Sequence, residues 1–385
     1  MRLLVLTSRF PYPLDKGDKL RAFHQIKELS KNNEICLVSL TEKTIDSDHL
    51  NEIKKLCTEI HVFKLKKWRI IINLITGLFS DKPFQVKYFY QRSIHKKINK
   101  IIKDFDPEHI FCQLIRCASY VQHNYHYKKT IDYMDAFSKG IERRIENAGW
   151  MKIIFKTEAS RLLKFENLCF EYFDHHTIIS EQDRSYIFHE NKSLIKIVSN
   201  GIDTEYYTPK KVKKRFDIVF VGNLSYAPNI DSVNYICLEL LPELIKLKPN
   251  ITILISGANP IKKILTLQNS YITVKGWTED IRDSYASAKV FLAPLRIGTG
   301  LQNKLLEAMS MEIPCITSPL ANKALLAING KDLFVGNSQE EYLKFIIQLL
   351  NDEELCEKIG KSGRNYITAN FNWTNTVNKL ERIMQ

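Results

Sequence analysis

The stretch from Lys289 to Ser318, KVFLAPLRIGTGLQNKLLEAMSMEIPCITS, carries the most informative pattern in the chain. Its apolar run at residues 290–294 predicts a buried parallel strand, and residues 313–317 predict a second one. Between these runs, four apolar residues lie at helical spacing: Leu301, Leu305, Leu306 and Met309. The stretch therefore predicts a strand, a glycine-bearing loop, a helix and another strand.

The loop of this stretch, RIGTG at residues 296–300, is suited to an anionic ligand. Its two glycines let the backbone pass close to a ligand, and the helix start that follows offers unpaired N–H groups. Arg296 and Lys304 flank the loop, so two cations can converge on one anion. Glu307 lies on the same helical face as Lys304, where a carboxylate suits a ribose diol. This set predicts a diphosphate site, and the alternative is a strand–turn–helix unit whose charges are solvated.

The same stretch resembles the donor-binding motif of the retaining GT-B glycosyltransferases (group 1, family 4), which ends in Leu-Glu-Ala-Met and a Pro-(Val/Cys)-Ile strand. Most members carry two glutamates that bracket seven residues. Here Glu307 is the second, and Thr299 stands where the first normally helps to hold the donor sugar. The sequence is more similar to a bacterial exopolysaccharide and surface-polysaccharide subgroup with the pattern Arg-x-Gly-x-Gly-x-x-x-Lys-x-x-Glu.

This resemblance implies an α/β protein of GT-B architecture, in which two Rossmann-like domains face each other across a cleft. Residues 1–200, joined by a C-terminal helix at 370–385, would form the acceptor-side domain, and residues 201–369 the domain that binds the donor. The implied enzyme transfers a sugar from a UDP- or GDP-linked donor to a glycan or lipid-linked acceptor, with the anomeric configuration retained. It would act in bacterial cell-surface polysaccharide synthesis and would use no metal ion.

The resemblance also implies the site residues. Those expected to act on the diphosphate or in the chemistry are Arg296, Lys304, Glu307, Arg116 and Asp135. Those expected to bind the donor are Gly222, Asn223, Gly276, Trp277, Gly298, Thr299, Gly300, Leu301 and Glu307. Those expected on the acceptor side of the cleft are Asp15, Lys16, Gly17, Asp18, Arg21 and Gln113. Gln113 replaces a histidine of many relatives, and Asn223 and Asn229 replace an arginine and a lysine.

Strand and helix signals alternate in both halves of the chain. Apolar runs at residues 3–7, 35–40 and 60–65 are separated by helical segments, and residues 217–221 restart the alternation. This order is typical of βαβ units with a parallel sheet. The turn signal Asn200-Gly201 and the basic run at residues 210–215 place the domain boundary near residues 199–216.

Two local patterns concern charged residues of the first half. Asp18 follows a proline-bearing loop and is expected to cap a helix that begins at residue 19. Glu158, Arg161 and Glu166 repeat at helical spacing, and ion pairs on a helix surface explain them.

Composition excludes several classes of protein. With 385 residues, 44% hydrophobic and 26% charged, the chain is typical of a globular protein with two domains. Its eight cysteines lack zinc-site spacing, which indicates reduced thiols in the cytoplasm. The net charge of +13 would suit a nucleic-acid-binding protein, but the sequence contains no nucleic-acid-binding motif. No nicotinamide cofactor is expected, because Gly298 and Gly300 lack the third glycine of a dinucleotide fingerprint.

Residues 64–79, KLKKWRIIINLITGLF, join four basic residues to Trp68 and a short apolar run. The run is shorter than the roughly 20 residues that span a bilayer, but it could lie among lipid headgroups. The alternative is a core helix with a basic cap. We expect a cytoplasmic protein that is peripheral on the inner face of the cytoplasmic membrane, with an anionic membrane surface as a partner and no nucleic acid.

Two other functions stay open. A nucleotide-sugar epimerase shares this architecture, but it would need acids and bases in the cleft that the sequence does not identify. A non-catalytic nucleotide-sugar-binding protein agrees with Thr299 and with the two asparagines that replace cations.

Overall fold

Two parallel sheets, each with its own hydrophobic core, organise the chain. The computed structural model describes residues 1–145, 149–297 and 300–385. One compact unit comprises Met1–Asn200 together with Trp373–Gln385, and the other comprises Gly201–Asn372.

The first unit contains a seven-stranded sheet. Its strands are β1 (Arg2–Thr7), β2 (Glu34–Thr41), β3 (Glu59–Lys64), β4 (His109–Gln113), β5 (Lys128–Asp132), β6 (His175–Ile178) and β7 (Lys196–Ile197). Its helices up to the boundary are α1 (Gly17–Leu29), α2 (Ser47–Lys54), α3 (Lys67–Gly77), α4 (Phe84–Phe89), α5 (Arg92–Phe105), α6 (Ile115–Ala118), α7 (Phe137–Glu142), α8 (Lys152–Tyr172) and α9 (Glu181–Tyr186).

The second unit contains a six-stranded sheet. Its strands are β8 (Phe216–Val221), β9 (Ile253–Ser256), β10 (Ile272–Lys275), β11 (Ala288–Ala293), β12 (Cys315–Thr317) and β13 (Phe334–Val335). Its helices are α10 (Ala227–Asn234), α11 (Leu241–Leu247), α12 (Lys262–Leu265), α13 (Ile281–Ala286), α14 (Asn303–Ser310), α15 (Pro319–Leu325), α16 (Gln339–Asn351) and α17 (Glu353–Asn370). A π-helical turn at Tyr235–Leu240 joins α10 to α11, and the last helix, α18 (Trp373–Met384), belongs to the first unit.

Both sheets are doubly wound. The strand orders are β3-β2-β1-β4-β5-β6-β7 and β10-β9-β8-β11-β12-β13, and neighbouring strands run parallel. Helices cover such sheets on both faces, which explains why the central strands are continuous apolar runs. The prediction of two Rossmann-like α/β units is confirmed. In each sheet the winding reverses once, between β1 and β4 and between β8 and β11, and ligands of such folds bind beyond the strand ends at this reversal.

The stretch at residues 289–318 forms the predicted strand, helix and strand, as β11, α14 and β12. Leu305, Leu306 and Met309 are buried, as their helical spacing predicted. Leu301 precedes the helix and packs partly against the core of the second unit. Gly298 and Thr299 lie outside the described residues.

Arg21 lies in the interior of the first unit, which corrects its assignment to the acceptor-side cleft. Its side chain is fully buried. Nε and Nη2 donate to the two carboxylate oxygens of Asp132 at 2.6 and 3.1 Å. Nη1 donates to Asn200 Oδ1, and Nη2 also donates to the carbonyl oxygen of Val198. The guanidinium therefore ties α1 to the end of β5 and to the segment after β7.

Asp18 is not a helix cap, because α1 begins one residue before it and Lys16 occupies the cap position. Its carboxylate accepts a hydrogen bond from Arg9 Nη1 at 2.6 Å instead.

The interpretation of Glu158 and Glu166 as surface ion-pair residues is also wrong, since both are buried. Glu158 accepts hydrogen bonds from the backbone N–H groups of Phe84 and Gln85 at 2.7 and 3.0 Å. Glu166 accepts from the N–H and the hydroxyl of Ser138. Each carboxylate thus satisfies the unpaired N–H groups at the start of a short helix, α4 or α7.

Within the described residues, no helix has both the length and the apolar character needed to cross a membrane. The apolar helix α3 packs one face on the core through Ile70 and Leu74. Its other face is exposed, so the core-helix interpretation holds for one side of this segment.

We expect Asp132→Asn to lower the free energy of unfolding of the first unit by about 3–5 kcal/mol, because the buried guanidinium of Arg21 loses its counter-charge. Urea denaturation followed by circular dichroism measures the change. The control Glu52→Gln removes an exposed ion pair with Lys55 and should cost less than about 1 kcal/mol. Equal stability of Asp132→Asn and the parent would contradict this account.

Candidate functional site

The carboxyl end of the second sheet, at the reversal between β8 and β11, brings several predicted donor-binding residues together. The backbone packs closely here. Gly257, which follows β9, has φ +144°, and a Cβ at this position would lie 1.8 Å from the carbonyl oxygen of Gly222. A Cβ on Gly222 would lie 2.7 Å from Asn229 Nδ2. Only glycine fits at Gly257, and this contact holds the loop after β8 against β9.

Lys304 supplies a cation at this reversal. Its Nζ donates to Asn229 Oδ1 at 2.7 Å and to Gln302 Oε1 at 3.2 Å. Asn229 Nδ2 in turn donates to the carbonyl oxygen of Asn223 at 2.8 Å. Burial lowers the pKa of Lys304 to about 8, although the Glu307 carboxylate partly opposes this. The side chain therefore stays largely protonated at neutral pH.

Glu307 is held in place by tyrosines that the sequence did not single out. The Tyr285 hydroxyl donates to Glu307 Oε2 at 2.7 Å, and Tyr207 also hydrogen-bonds to this carboxylate. Burial raises the pKa of Glu307, while Tyr285, Lys304 and Tyr207 lower it. Tyr207 and Tyr285 lie in other segments of the chain, so no local pattern could have revealed them.

Arg296 has carboxylate partners in this structure. It donates from Nη2 and Nε to Asp231 at 2.9 and 3.1 Å, and from Nη1 to Glu239 at 3.1 Å. The guanidinium also lies 4.5 Å from the ring centroid of Tyr235. Its predicted role on a diphosphate would require an exchange of these partners and stays a prediction.

The start of α14 and the nearby loops carry the other predicted donor-binding residues. Gly300 has φ +77°, a left-handed conformation that favours glycine. Gln302, at the cap position of α14, makes no capping hydrogen bond to the helix. Asn223 is exposed and its Oδ1 accepts from the N–H and hydroxyl of Ser225. Gly276 and Trp277 follow β10, and Trp277 is 73% exposed.

A second group of predicted residues meets at the reversal of the first sheet. Arg9 Nη1 and Arg116 Nη1 lie 2.6 and 3.8 Å from Asp18 Oδ2. Gln113 Nε2 donates to the Asp18 carbonyl oxygen at 2.9 Å, and Arg116 donates to Gln85 Oε1. Burial and the neighbouring charge of Arg9 lower the pKa of Arg116. Sequence reasoning missed Arg9, which lies just beyond β1.

Asp135 lies in the loop that follows β5. Its side chain reaches solvent, but protein surrounds it on most sides. This partial desolvation, together with the negative charge of the nearby Asp183 carboxylate, raises the pKa of Asp135 to about 6. Asp15 and Lys16 line a cavity of about 340 Å³ at the ends of β1 and β2, and Gly17 is the first residue of α1.

One trio among the described residues has the spacing of metal ligands, namely Cys36, Glu59 and His61 at the start of β2 and β3. Burial raises the pKa of the Cys36 thiol to about 12. Since a metal binds the thiolate, this trio is poorly suited to hold one.

Comparison with known proteins finds a family model that matches most of the second unit. The family model described as "Glycosyl transferases group 1" matches residues 215–352, which include Lys304 and Glu307. The second unit therefore resembles the group 1 glycosyltransferases.

Several relatives and solved structures are similar to this chain. A Klebsiella pneumoniae protein described as an uncharacterized 44.6 kDa protein in the cps region is 21% identical, over 96% of this chain and 96% of its own length. An Escherichia coli UDP-Gal:alpha-D-GlcNAc-diphosphoundecaprenol alpha-1,3-galactosyltransferase is 24% identical, over 49% of this chain and 53% of its own. Anabaena HepE in complex with UDP superposes with a TM-score of 0.69 over 99% of both chains at 12% identity, which shows the shared GT-B fold.

Two variants separate the roles of Lys304 and Arg296 at this site. We expect Lys304→Met to weaken UDP binding by about 1.5–3 kcal/mol, because it removes a charged hydrogen-bond donor. Arg296→Met should weaken UDP binding by less than about 1 kcal/mol, because that guanidinium is partly exposed and paired with carboxylates. Isothermal titration calorimetry measures both. Unchanged UDP affinity in Lys304→Met would place the diphosphate elsewhere.

The affinity for UDP should fall as the pH rises above about 8. In the free protein Lys304 loses its proton near that pH, whereas a bound diphosphate favours the protonated form. Binding above this pH then takes up a proton, so each further pH unit weakens it by up to about tenfold. Titrations between pH 7 and 9.5 test this, and the profile of Lys304→Met should be flatter. An equal decline in both proteins would assign it to another group.

Proposed function

We propose that this glycosyltransferase transfers a sugar from a nucleoside-diphosphate sugar to a glycan or lipid-linked acceptor, with retention of the anomeric configuration. The observation that carries the proposal is the pairing of Lys304 with Asn229, and of Glu307 with Tyr285, at the reversal of the second sheet. In this proposal residues 201–369 bind the donor, and residues 1–200 with the C-terminal helix bind the acceptor.

Lys304 would bind the diphosphate and stabilise the negative charge that grows on it as the sugar leaves. A buried cation is effective here because it is already in place and needs little reorganisation. The start of α14 adds backbone N–H groups and the positive end of a helix dipole. These groups occupy the position in the fold where doubly wound proteins bind ligands.

Glu307 would accept hydrogen bonds from the ribose hydroxyls of the nucleotide. A carboxylate offers several acceptor sites, so hydrogen bonds from two tyrosines leave room for a diol. The tyrosines keep the carboxylate oriented when no donor is bound.

We infer a transfer in which the protein's own cations take the part of a metal ion. The new bond forms between the acceptor oxygen and the anomeric carbon on the face from which the phosphate departs. The leaving phosphate takes the acceptor proton. Arg116 and Asp135 are the polar groups proposed for the acceptor side.

The relatives support a role in bacterial cell-surface polysaccharide synthesis. The Klebsiella protein is named for the cps region, and the name of the Escherichia coli enzyme specifies UDP-galactose and a diphosphoundecaprenol-linked acceptor. HepE was solved with UDP and with UDP-glucose. We therefore propose a UDP-linked sugar as the first donor to test, with a GDP-linked sugar next, and a location on the inner face of the cytoplasmic membrane.

Hydrolysis of UDP-glucose, UDP-galactose and GDP-mannose, followed by proton NMR, tests the proposal. We expect one donor to release free sugar slowly, first with the anomeric configuration of the donor. Lys304→Met should abolish the release. An isomerised donor would indicate an epimerase, and binding without turnover would indicate a non-catalytic nucleotide-sugar-binding protein.

A further inference from the structure

A groove on the first unit is almost entirely apolar. It lies between α3, α4 and the start of α8, has a volume of about 500 Å³, and is lined by residues that include Leu74, Ile75, Leu78, Phe84 and Ile154. Among its polar lining groups, Glu158 is already bound to the backbone of α4. Such a groove suits a hydrocarbon chain.

A cavity that carries two arginines adjoins the groove. This cavity, of about 300 Å³, shares Leu74, Phe84 and Gln85 with the groove and adds Arg9 and Arg116. Both guanidinium groups approach the same atom, Asp18 Oδ2, at 2.6 and 3.8 Å. The position of that oxygen shows that the two arginines can converge on one anionic oxygen.

A polar cavity adjoins the arginine cavity in turn. The two share Arg9 and Glu42, and the third cavity, of about 340 Å³, adds side chains such as Ser8, Lys16 and Lys19. Glu42 also hydrogen-bonds to the Tyr88 hydroxyl, so its carboxylate is placed to accept hydrogen bonds. The path therefore runs from an apolar groove, past two arginines, to a pocket of hydrogen-bonding groups.

We propose that this path binds the acceptor as a sugar linked through diphosphate to a prenyl chain. The chain occupies the groove, the diphosphate lies at Arg9 and Arg116, and the sugar occupies the polar cavity. This ligand class matches the order of surfaces along the path, because it joins a hydrocarbon, an anion and a set of hydroxyls in that sequence. The inference rests on the proposed transferase function and names the acceptor class.

The two arginines face carboxylates at the centre of the path, because Glu42 lines the same cavity and Asp18 pairs with both guanidinium groups. Arg9 and Arg116 share the Asp18 carboxylate, and burial, followed by the positive charge of Arg9, lowers the pKa of Arg116. A diphosphate has enough acceptor oxygens to bind both guanidinium groups at once. It would therefore relieve the repulsion between them.

The apolar surface around the groove shows where the rest of a long chain can go. Ile75 and Leu78 line the groove and are also exposed, and Phe79 next to them is 89% exposed. Ile153, at the start of α8, is 77% exposed. Lys66 and Lys67 are exposed at the start of α3, and Ile75 lies near the end of the same helix. A helix that carries exposed apolar side chains and has exposed lysines at its start fits the boundary of an anionic bilayer, so the chain can enter the groove directly from the membrane.

Farnesyl diphosphate, farnesol and inorganic diphosphate serve as probes in calorimetric titrations of the whole protein, with UDP titrated into the same samples. The parent should bind farnesyl diphosphate at least about tenfold more tightly than either fragment, because only that probe fills both the groove and the arginine cavity. In the double variant Ile75→Glu/Leu78→Glu the affinity should fall to that for inorganic diphosphate. In Arg9→Gln it should fall to that for farnesol.

The matched control is Phe188→Glu, which makes the same change at a side chain that is 71% exposed elsewhere on the first unit. It should bind like the parent, and thermal melting checks that every variant is folded. Equal affinities of the parent for farnesyl diphosphate and inorganic diphosphate, or a groove variant that binds like the parent, would overturn the proposal. So would a groove variant that converts a dimeric parent into a monomer, because the groove would then be covered by a second copy.

Titration of UDP distinguishes a failure of the acceptor site from a failure of the proposed transferase function. Normal UDP binding without any preference for the prenyl chain overturns this acceptor site and leaves the donor function intact. Failure of the parent to bind UDP and GDP overturns the proposed transferase function, whatever farnesyl diphosphate does.

Discussion

The hydrogen bond from Lys304 to Asn229 joins two helices at the carboxyl end of the second sheet. It links α14, which follows β11, to α10, which follows β8, across the reversal of strand order. The close contact of Gly257 with Gly222 sets the loop on one side of this bond. Burial makes the charge on Lys304 costly, so an anionic ligand that approached it would restore part of the lost solvation energy. The same packing that stabilises the fold thus prepares the site.

The first unit combines stability and recognition in a comparable way. The buried pair of Arg21 and Asp132 anchors α1 to the sheet, and α1 carries Asp18 in its first turn. Asp18 then orients Arg9 and Arg116 at the reversal between β1 and β4. A buried ion pair adds little net stability but disrupts the fold when one partner is removed. Its contribution here is to place charged groups at the ligand-binding edge of the sheet.

Local patterns in the sequence were sufficient for the elements around the site. The strand, loop and helix of residues 289–318 follow from apolar periodicity, which depends only on near neighbours. The same reasoning failed for Glu158 and Glu166, because helical spacing shows which residues share a face but not whether another segment covers it. Each carboxylate is covered by a short helix, and it accepts hydrogen bonds from the N–H groups at the start of that helix.

The sequence by itself determined the two doubly wound sheets, and it determined the cation and the carboxylate of the motif. Each of these features depends on a short stretch of residues. Only the tertiary structure decided what those side chains touch. Lys304 meets Asn229 from 75 positions away, and Arg21 meets Asp132 from 111 positions away. Arg296 resembles Lys304 in the motif, yet it pairs with Asp231 and Glu239 on a different helical segment. The physical reason is that hydrogen bonds and ion pairs are short-ranged, so they depend on which distant segments the packing of the sheets brings together.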